Sequence, residues 1–337
     1  MSKSIKKHFR TVMCILITSI MCMAGVASSR ERPGPPALTQ PLTKEAAVEY
    51  ALSHNRSFKA ADEDLAAAGQ RVRQAQADFY PKLDGSYAFK RMSEQPFVSF
   101  GTGFTVPFSV KTSNRWEVNL VQPLFTGFGL EAQYKISKAG QKLSKYQLDE
   151  VRLNLVRDVQ TTFLQVLLGT RLNEVARDNV ASLEVQRGNA DENYRHGVAA
   201  QNDVLKAEVA LAEAIQRERS TAKQLLVLRS ALNQLLDIEI GTKLELAGIK
   251  EATHPPPDLN ELYTIAESSR PEYLATETSI AQAEYGKTAA KSRYYPRVSA
   301  FAQYFREGED FAADNNPFTN SDNAAVGVRV DWNLFEG

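Results

Sequence analysis

The side chains suited to bond-making chemistry are few and scattered. The chain has four histidines, His8, His54, His196 and His254, and none has a second ligand at metal-site spacing, so surface and turn positions fit them better than ligation. Gly101-Thr102-Gly103 lacks the third glycine and the helix start of a phosphate-binding loop. Asp310, Asp314, Asn315 and Asn316 are oxygen ligands in kind, but they lack calcium-loop spacing and its terminal glutamate. Both cysteines, Cys14 and Cys22, fall in the N-terminal segment read below as a signal peptide. The mature chain is therefore expected to carry no disulfide, cysteine-bound zinc or thiol catalysis. No nucleophile–base pair stands out. Lysine plus arginine equals aspartate plus glutamate, 40 against 40, interspersed along the chain, which leaves no basic stripe for nucleic acid. These residues predict a protein that is not an enzyme, holds no cofactor or metal and binds no nucleic acid.

The elements carry more information. Lys3, Lys6, Lys7 and Arg10 precede an uncharged run from Thr11 to Val26 and a small-residue exit at Gly25-Val26-Ala27. This predicts a secretory signal peptide over 1–27, too short to span a bilayer; bulky Met21 before Cys22 argues against a lipoprotein signal. Residues 28–41 are proline-rich and charged, an extended leader. Over 42–80 apolar residues recur at threes and fours, predicting a helix capped at Thr43 and stopped before Pro81, about 56 Å long. The period then switches to two over 81–127, predicting a strand pair: Leu83, Gly85, Tyr87 and Phe89 alternate with polar residues, as do Trp116, Val118 and Leu120. Between them, Met92 to Asn114 reads as a long external loop. From Leu130 to His196 there is no proline, which predicts one helix of up to 196 − 130 + 1 = 67 residues, about 100 Å. Its narrow apolar stripe (Val151, Leu155, Val159, Phe163, Val166) has coiled-coil character. Gly197 is placed as the residue ending this helix and Asn202 as the cap of a returning one, so 128–236 reads as a long helical hairpin with its tip near 195–203. A connecting segment, 237–257, leads to a helix at 258–295 and a strand pair at 296–337.

The last two segments repeat earlier ones. A shift of 215 residues (273 − 58) places Phe58 on Tyr273 and Phe79-Tyr80-Pro81-Lys82-Leu83 on Tyr294-Tyr295-Pro296-Arg297-Val298. A shift of 210 (334 − 124) places Leu124-Phe125-Thr126-Gly127 on Leu334-Phe335-Glu336-Gly337. The difference falls in the external loop, where length changes cost least. Pro81, Pro296, Gly127 and Gly337 thus mark the joints of a duplicated unit. At these residues the chain resembles the TolC-type outer-membrane efflux and secretion channel family. The resemblance implies an α+β membrane protein: a trimeric outer-membrane β-barrel, four strands per subunit, continuous with a long periplasmic α-helical coiled-coil barrel. It also implies that Tyr194, Arg195, Gly197, Val198, Gln201, Asn202, Asp203 and Val204 form the hairpin tip that meets a periplasmic membrane-fusion adaptor, which couples the channel to an inner-membrane transporter.

Four strands cannot close a membrane barrel, and unpaired edges in lipid force oligomerisation; the resemblance implies that the oligomer is a homotrimer, three chains supplying twelve strands. On this reading the faces bearing Leu83, Tyr87 and Phe89, Trp116 and Leu120, and Val328, Val330 and Trp332 meet outer-membrane lipid, with Tyr87, Phe89, Trp116 and Trp332 as the lipid-facing and interface aromatics. Asp84, Glu117, Asn119, Arg329 and Asp331 face a water-filled lumen. The implied function is passive export, either efflux of small molecules or type I protein secretion, from the outer membrane with a periplasmic extension. Relative to the family pattern, a second helical hairpin after Gly337 is missing, which reads as a C-terminal truncation. The rival reading is a soluble periplasmic coiled-coil or adaptor-like scaffold.

Overall fold

The computed structural model of the chain describes residues 41–101, 103–248, 258–318, 320 and 322–335. The expected signal peptide, nearly all of the leader, part of the connecting segment and the closing Glu336 and Gly337 lie outside the described residues. In chain order the elements are α1 (Lys44–His54), α2 (Arg56–Ala77), β1 (Lys82–Arg91), β2 (Phe97–Phe100), β3 (Phe104–Pro107), β4 (Thr112–Phe125), α3 (Gly129–Arg195), α4 (Gln201–Leu235), α5 (Leu259–Ser269), α6 (Pro271–Lys291), β5 (Arg297–Gly308) and β6 (Asp322–Asp331).

Each helix expected as continuous over 42–80 and 258–295 is two helices. Thr43 accepts the Ala46 N–H at 3.2 Å to start α1. Asn55 then leaves helical geometry with ψ 129°, and its side-chain oxygen accepts the N–H groups of Ser57 and Phe58 at 2.9 and 3.2 Å. One side chain thus ends α1 and caps α2. Arg270, with ψ 122°, separates α5 from α6, and Pro271 gives up an N–H that has no partner at a helix start. The two breaks lie 215 residues apart (270 − 55), the repeat shift itself.

The helix α3 is 67 residues long and α4 is 35, about 100 Å and 53 Å. The returning helix therefore covers only part of α3, and α2 and α6 pack along its first part. There Gln282 donates to the Ile136 carbonyl at 3.3 Å and the Phe79 ring meets Tyr134 edge-on. The apolar core lies at the root of the hairpin, where Ala47 and Ala51 of α1 meet Leu155, Val159, Phe163 and Val166 of α3 and Leu225, Leu232 and Leu236 at the end of α4. Beside it, Leu42 forms a parallel bridge with Leu246. Asn55 ties the core's rim together by donating to the Leu235 carbonyl at 3.0 Å. Buried Asn233 donates to the carbonyls of Glu239, Ile240 and Thr242, holding the turn that follows α4. Burial, helped by Asp237, pushes the Tyr50 hydroxyl above its ordinary pKa.

The strands β1-β4-β5-β6 form one antiparallel sheet in that order. The expected loop 92–114 is a loop only in part. It contains a separate hairpin, β2–β3, and β4 already begins at Thr112. Phe97, Val98, Thr105 and Val106 extend the chain by β propensity where glycine and proline content had suggested irregular backbone.

Candidate functional site: channel wall and hairpin tip

Registry sorts the sheet into two faces. Leu83 lies opposite Leu120, Leu120 opposite Ala302 and Ala302 opposite Val326, and the same face carries Tyr87, Phe89, Trp116, Val118, Tyr304, Val328 and Val330. The other face carries Lys82, Asp84, Arg115, Glu117, Asn119, Gln303, Glu307, Arg329 and Asp331. Glu117 is the centre of a hydrogen-bonded group there: Asn119 donates to it at 2.6 Å, Gln303 at 2.8 Å and Arg115 at 3.0 Å. Arg115 also approaches Glu307 at 3.5 Å, and Ser113 donates to Glu307 at 2.8 Å. The guanidinium of Arg115 sits 4.1 Å over the Phe305 ring and that of Arg329 5.3 Å over Phe301. Positive charge is thus held against aromatic rings, and the carboxylates of Glu117 and Glu307 are held by hydrogen bonds and by Arg115. What the face can do chemically is line a polar passage.

On the mainly apolar face, Tyr87 and Trp116 meet at a 40° tilt with ring centres 4.6 Å apart, and Phe311, from the loop after β5, closes edge-on against Trp116. The Trp116 indole donates to the Phe311 carbonyl at 2.8 Å. Trp332 lies on the opposite edge of the sheet and donates to the Tyr294 carbonyl at 3.2 Å; Phe89 projects from the β1 edge, exposed. Where the loop leaves the sheet, Arg306 pairs with Asp314 and with Asp322.

Pro81 and Pro296 directly precede β1 and β5. At the exit from β4, Gly127 has φ +62° and Phe128 φ +66°, which turn the chain sharply into α3. A Cβ on Gly127 would lie 2.6 Å from the Tyr295 Cβ and 2.7 Å from the Ser292 carbonyl oxygen. Only glycine lets the two joints touch, and Phe128 meets Tyr295 edge-on beside it. Gly337 lies outside the described residues.

The tip residues converge on one turn. Tyr194 and Arg195 end α3, Gly197 takes φ +75°, and the Val198 N–H donates to the Asn193 carbonyl at 2.9 Å. Asn202 is not the cap. Ala200 has extended geometry and its carbonyl accepts the Asp203 N–H at 2.9 Å, so α4 begins at Gln201 with no side-chain cap, and Asn202 already lies inside it. Val198 is 79% exposed, the apolar point of the turn. Below the tip the two helices are laced by Arg187–Glu208 at 3.3 Å and Arg177–Glu218 at 3.5 Å. Sequence reasoning missed Asn55, Asn233 and Phe311; the run His54-Asn55-Arg56-Ser57 carried a second cap signal that could have found the first of them.

An antiparallel sheet with one mainly apolar and one polar face, open at both edges among the described residues and running straight into a hairpin of this length, is the subunit architecture of an outer-membrane channel with a periplasmic helical extension. The sequence profile of the outer membrane efflux protein family matches residues 47–237, and the chain belongs to that family, whose members are channels and not enzymes. The chain is 27% identical over 282 residues to the pyoverdine export outer membrane protein OpmQ of Pseudomonas aeruginosa, covering 77% of this chain and 56% of that one. It thus spans little more than half the length of this relative. Among solved structures it superposes on the Campylobacter jejuni CmeC outer membrane channel with a TM-score of 0.73 at 17% identity, covering 90% of this chain and 66% of that one. The outer membrane protein VceC of Vibrio cholerae gives 0.70 at 14% identity, with 87% and 69% covered.

Proposed function

We propose that the chain is one subunit of a homotrimeric export channel, in which each sheet supplies a third of a twelve-stranded barrel and each hairpin part of a periplasmic tunnel. The observation that carries this is the sheet: one face is mainly apolar, broken near its loop end by Asn114 and the Arg306–Asp322 pair, the other is charged, and among the described residues the outer edges of β1 and β6 are unpaired. A bilayer tolerates no unpaired strand edge, so the edges must meet other copies, the apolar face must meet lipid and the Glu117 face must meet water. Tyr87, Phe89, Trp116 and Trp332 then serve as lipid-facing and interface aromatics. The tip from Tyr194 to Val204 docks on a periplasmic adaptor, through which an inner-membrane transporter supplies the energy. Pyoverdine, named for the relative OpmQ, or a compound like it is the first cargo to test; small-molecule efflux and polypeptide secretion both fit a passive duct.

The reading is tested by single-channel recording of the purified chain in planar lipid bilayers. Discrete conductance steps whose ion selectivity shifts towards anions in Glu117→Lys are expected. A chain that never inserts, or a selectivity untouched by Glu117→Lys, would overturn it in favour of the soluble scaffold.

A further inference from the structure

We propose that β6 of one copy pairs with β1 of the next in one defined register, with Val328 opposite the partner's Phe89 and Val330 opposite the partner's Tyr87. This rests on the trimer reading above. Carrying β1 forward by 215 (297 − 82) and β4 by 210 (331 − 121) turns the observed pair Lys82↔Val121 into Arg297↔Asp331, and Tyr87↔Trp116 into Ala302↔Val326. The β5–β6 ladder contains both pairs. The two halves of the sheet are therefore the same hairpin, residue for residue, and the β4–β5 ladder is the seam that joins one unit to the next. The seam between chains is its counterpart. Applying the same shifts to Val118↔Tyr304 and Leu120↔Ala302 gives Val328↔Phe89 and Val330↔Tyr87, antiparallel as the barrel requires.

Three features of the edges favour this register over its neighbours. A slip of one residue turns every apolar side chain of one strand to the polar face. A slip of two in one direction sets Asp331 against Asp84, and in the other Arg329 against Lys90, like charges directly opposed on the lumenal face. In the proposed register those rows read Asp331↔Ser86, Arg329↔Ala88 and Gly327↔Lys90, with no like charges facing. Finally, Trp332 falls opposite Gly85, where a Cβ would meet nothing within 4 Å, so the indole has room to lie across the seam. All of β1 and most of β6 are exposed within one chain, as such a seam needs.

The test uses the full chain, whose own cysteines, Cys14 and Cys22, lie in the expected signal peptide. Phe89→Cys/Val328→Cys is treated in membranes with a bifunctional thiol reagent only a few ångströms long, beside Tyr87→Cys/Val328→Cys and Arg91→Cys/Val328→Cys. Ala88→Cys/Arg329→Cys repeats the test while leaving the apolar face intact. The in-register pairs should give heat-resistant covalent trimers at least about fivefold more abundant than the shifted pairs, whose side chains are two residues further apart. Trimers of normal mass that link best at a shifted pair, or at no pair, overturn the register and leave the trimer reading standing. Absence of trimers in detergent overturns both.

Discussion

Gly127 and Gly197 share a positive φ, +62° and +75°, but a Cβ on the first would collide with Tyr295 and Ser292 while one on the second meets open space. Gly127→Ala is therefore expected to cost about 2–4 kcal/mol through strain and overpacking together. Gly197→Ala should cost only about 1 kcal/mol, felt at the tip alone. Thermal unfolding in detergent, followed by circular dichroism, separates the two, and equal losses would contradict this account of the joint. Asn233→Leu should cost about 1–3 kcal/mol, because the turn beyond α4 loses the hydrogen bonds that its three carbonyls accept from this one buried amide; the same melting experiment reads it. At this scale the sequence discloses some residues and hides others. Gly197 stands between two helical patterns and can be placed by its type. The role of Asn202 cannot, because the backbone of Ala200 starts the helix two residues earlier without any side-chain signal. Asn233 is hidden for a different reason: its partners exist only once the chain has turned back on itself.

The long helix is the element most plainly written in the sequence: a proline-free run from Leu130 to His196 against an observed Gly129–Arg195. Its stripe reaches the core at Phe163, 1% exposed. Phe163→Ala should destabilise by about 3–5 kcal/mol, seen as a lower denaturation midpoint. Higher on the hairpin Gly169 sits where a Cβ would come 3.2 Å from the end of Leu228. Gly169→Ala should be tolerated and Gly169→Leu should splay the helices, measurable as lost protection from proteolysis near the tip. The breaks at Asn55 and Arg270 were not read from the apolar spacing because it continues across them in phase. What decides them is local: a side-chain cap in one case and a proline at the following position in the other. The hairpin β2–β3 escaped because glycines and prolines flank strands only four residues long, a length at which turn composition outweighs period.

The single chain leaves much apolar surface uncovered. Leu168, Leu172 and Val175 of α3 are 60%, 52% and 65% exposed and follow one another along the helix, a second stripe that its own hairpin does not bury. Together with the two sheet edges left open among the described residues, this gives the single chain apolar surface for further packing in the helices as in the sheet. Four strands with a switch to long helices were visible from periodicity, and the duplicated joints made the fold recognisable. The pairing of the two units through β4 and β5 was not visible, since periodicity fixes which face a strand shows but not which strand lies beside it. The most direct measurement of the central claim is the mass of the particle released from outer membranes. The account predicts extraction only with detergent, as a particle holding three chains that resists dissociation in mild detergent and falls to monomers on heating. Release of a monomer by salt or buffer alone would contradict it.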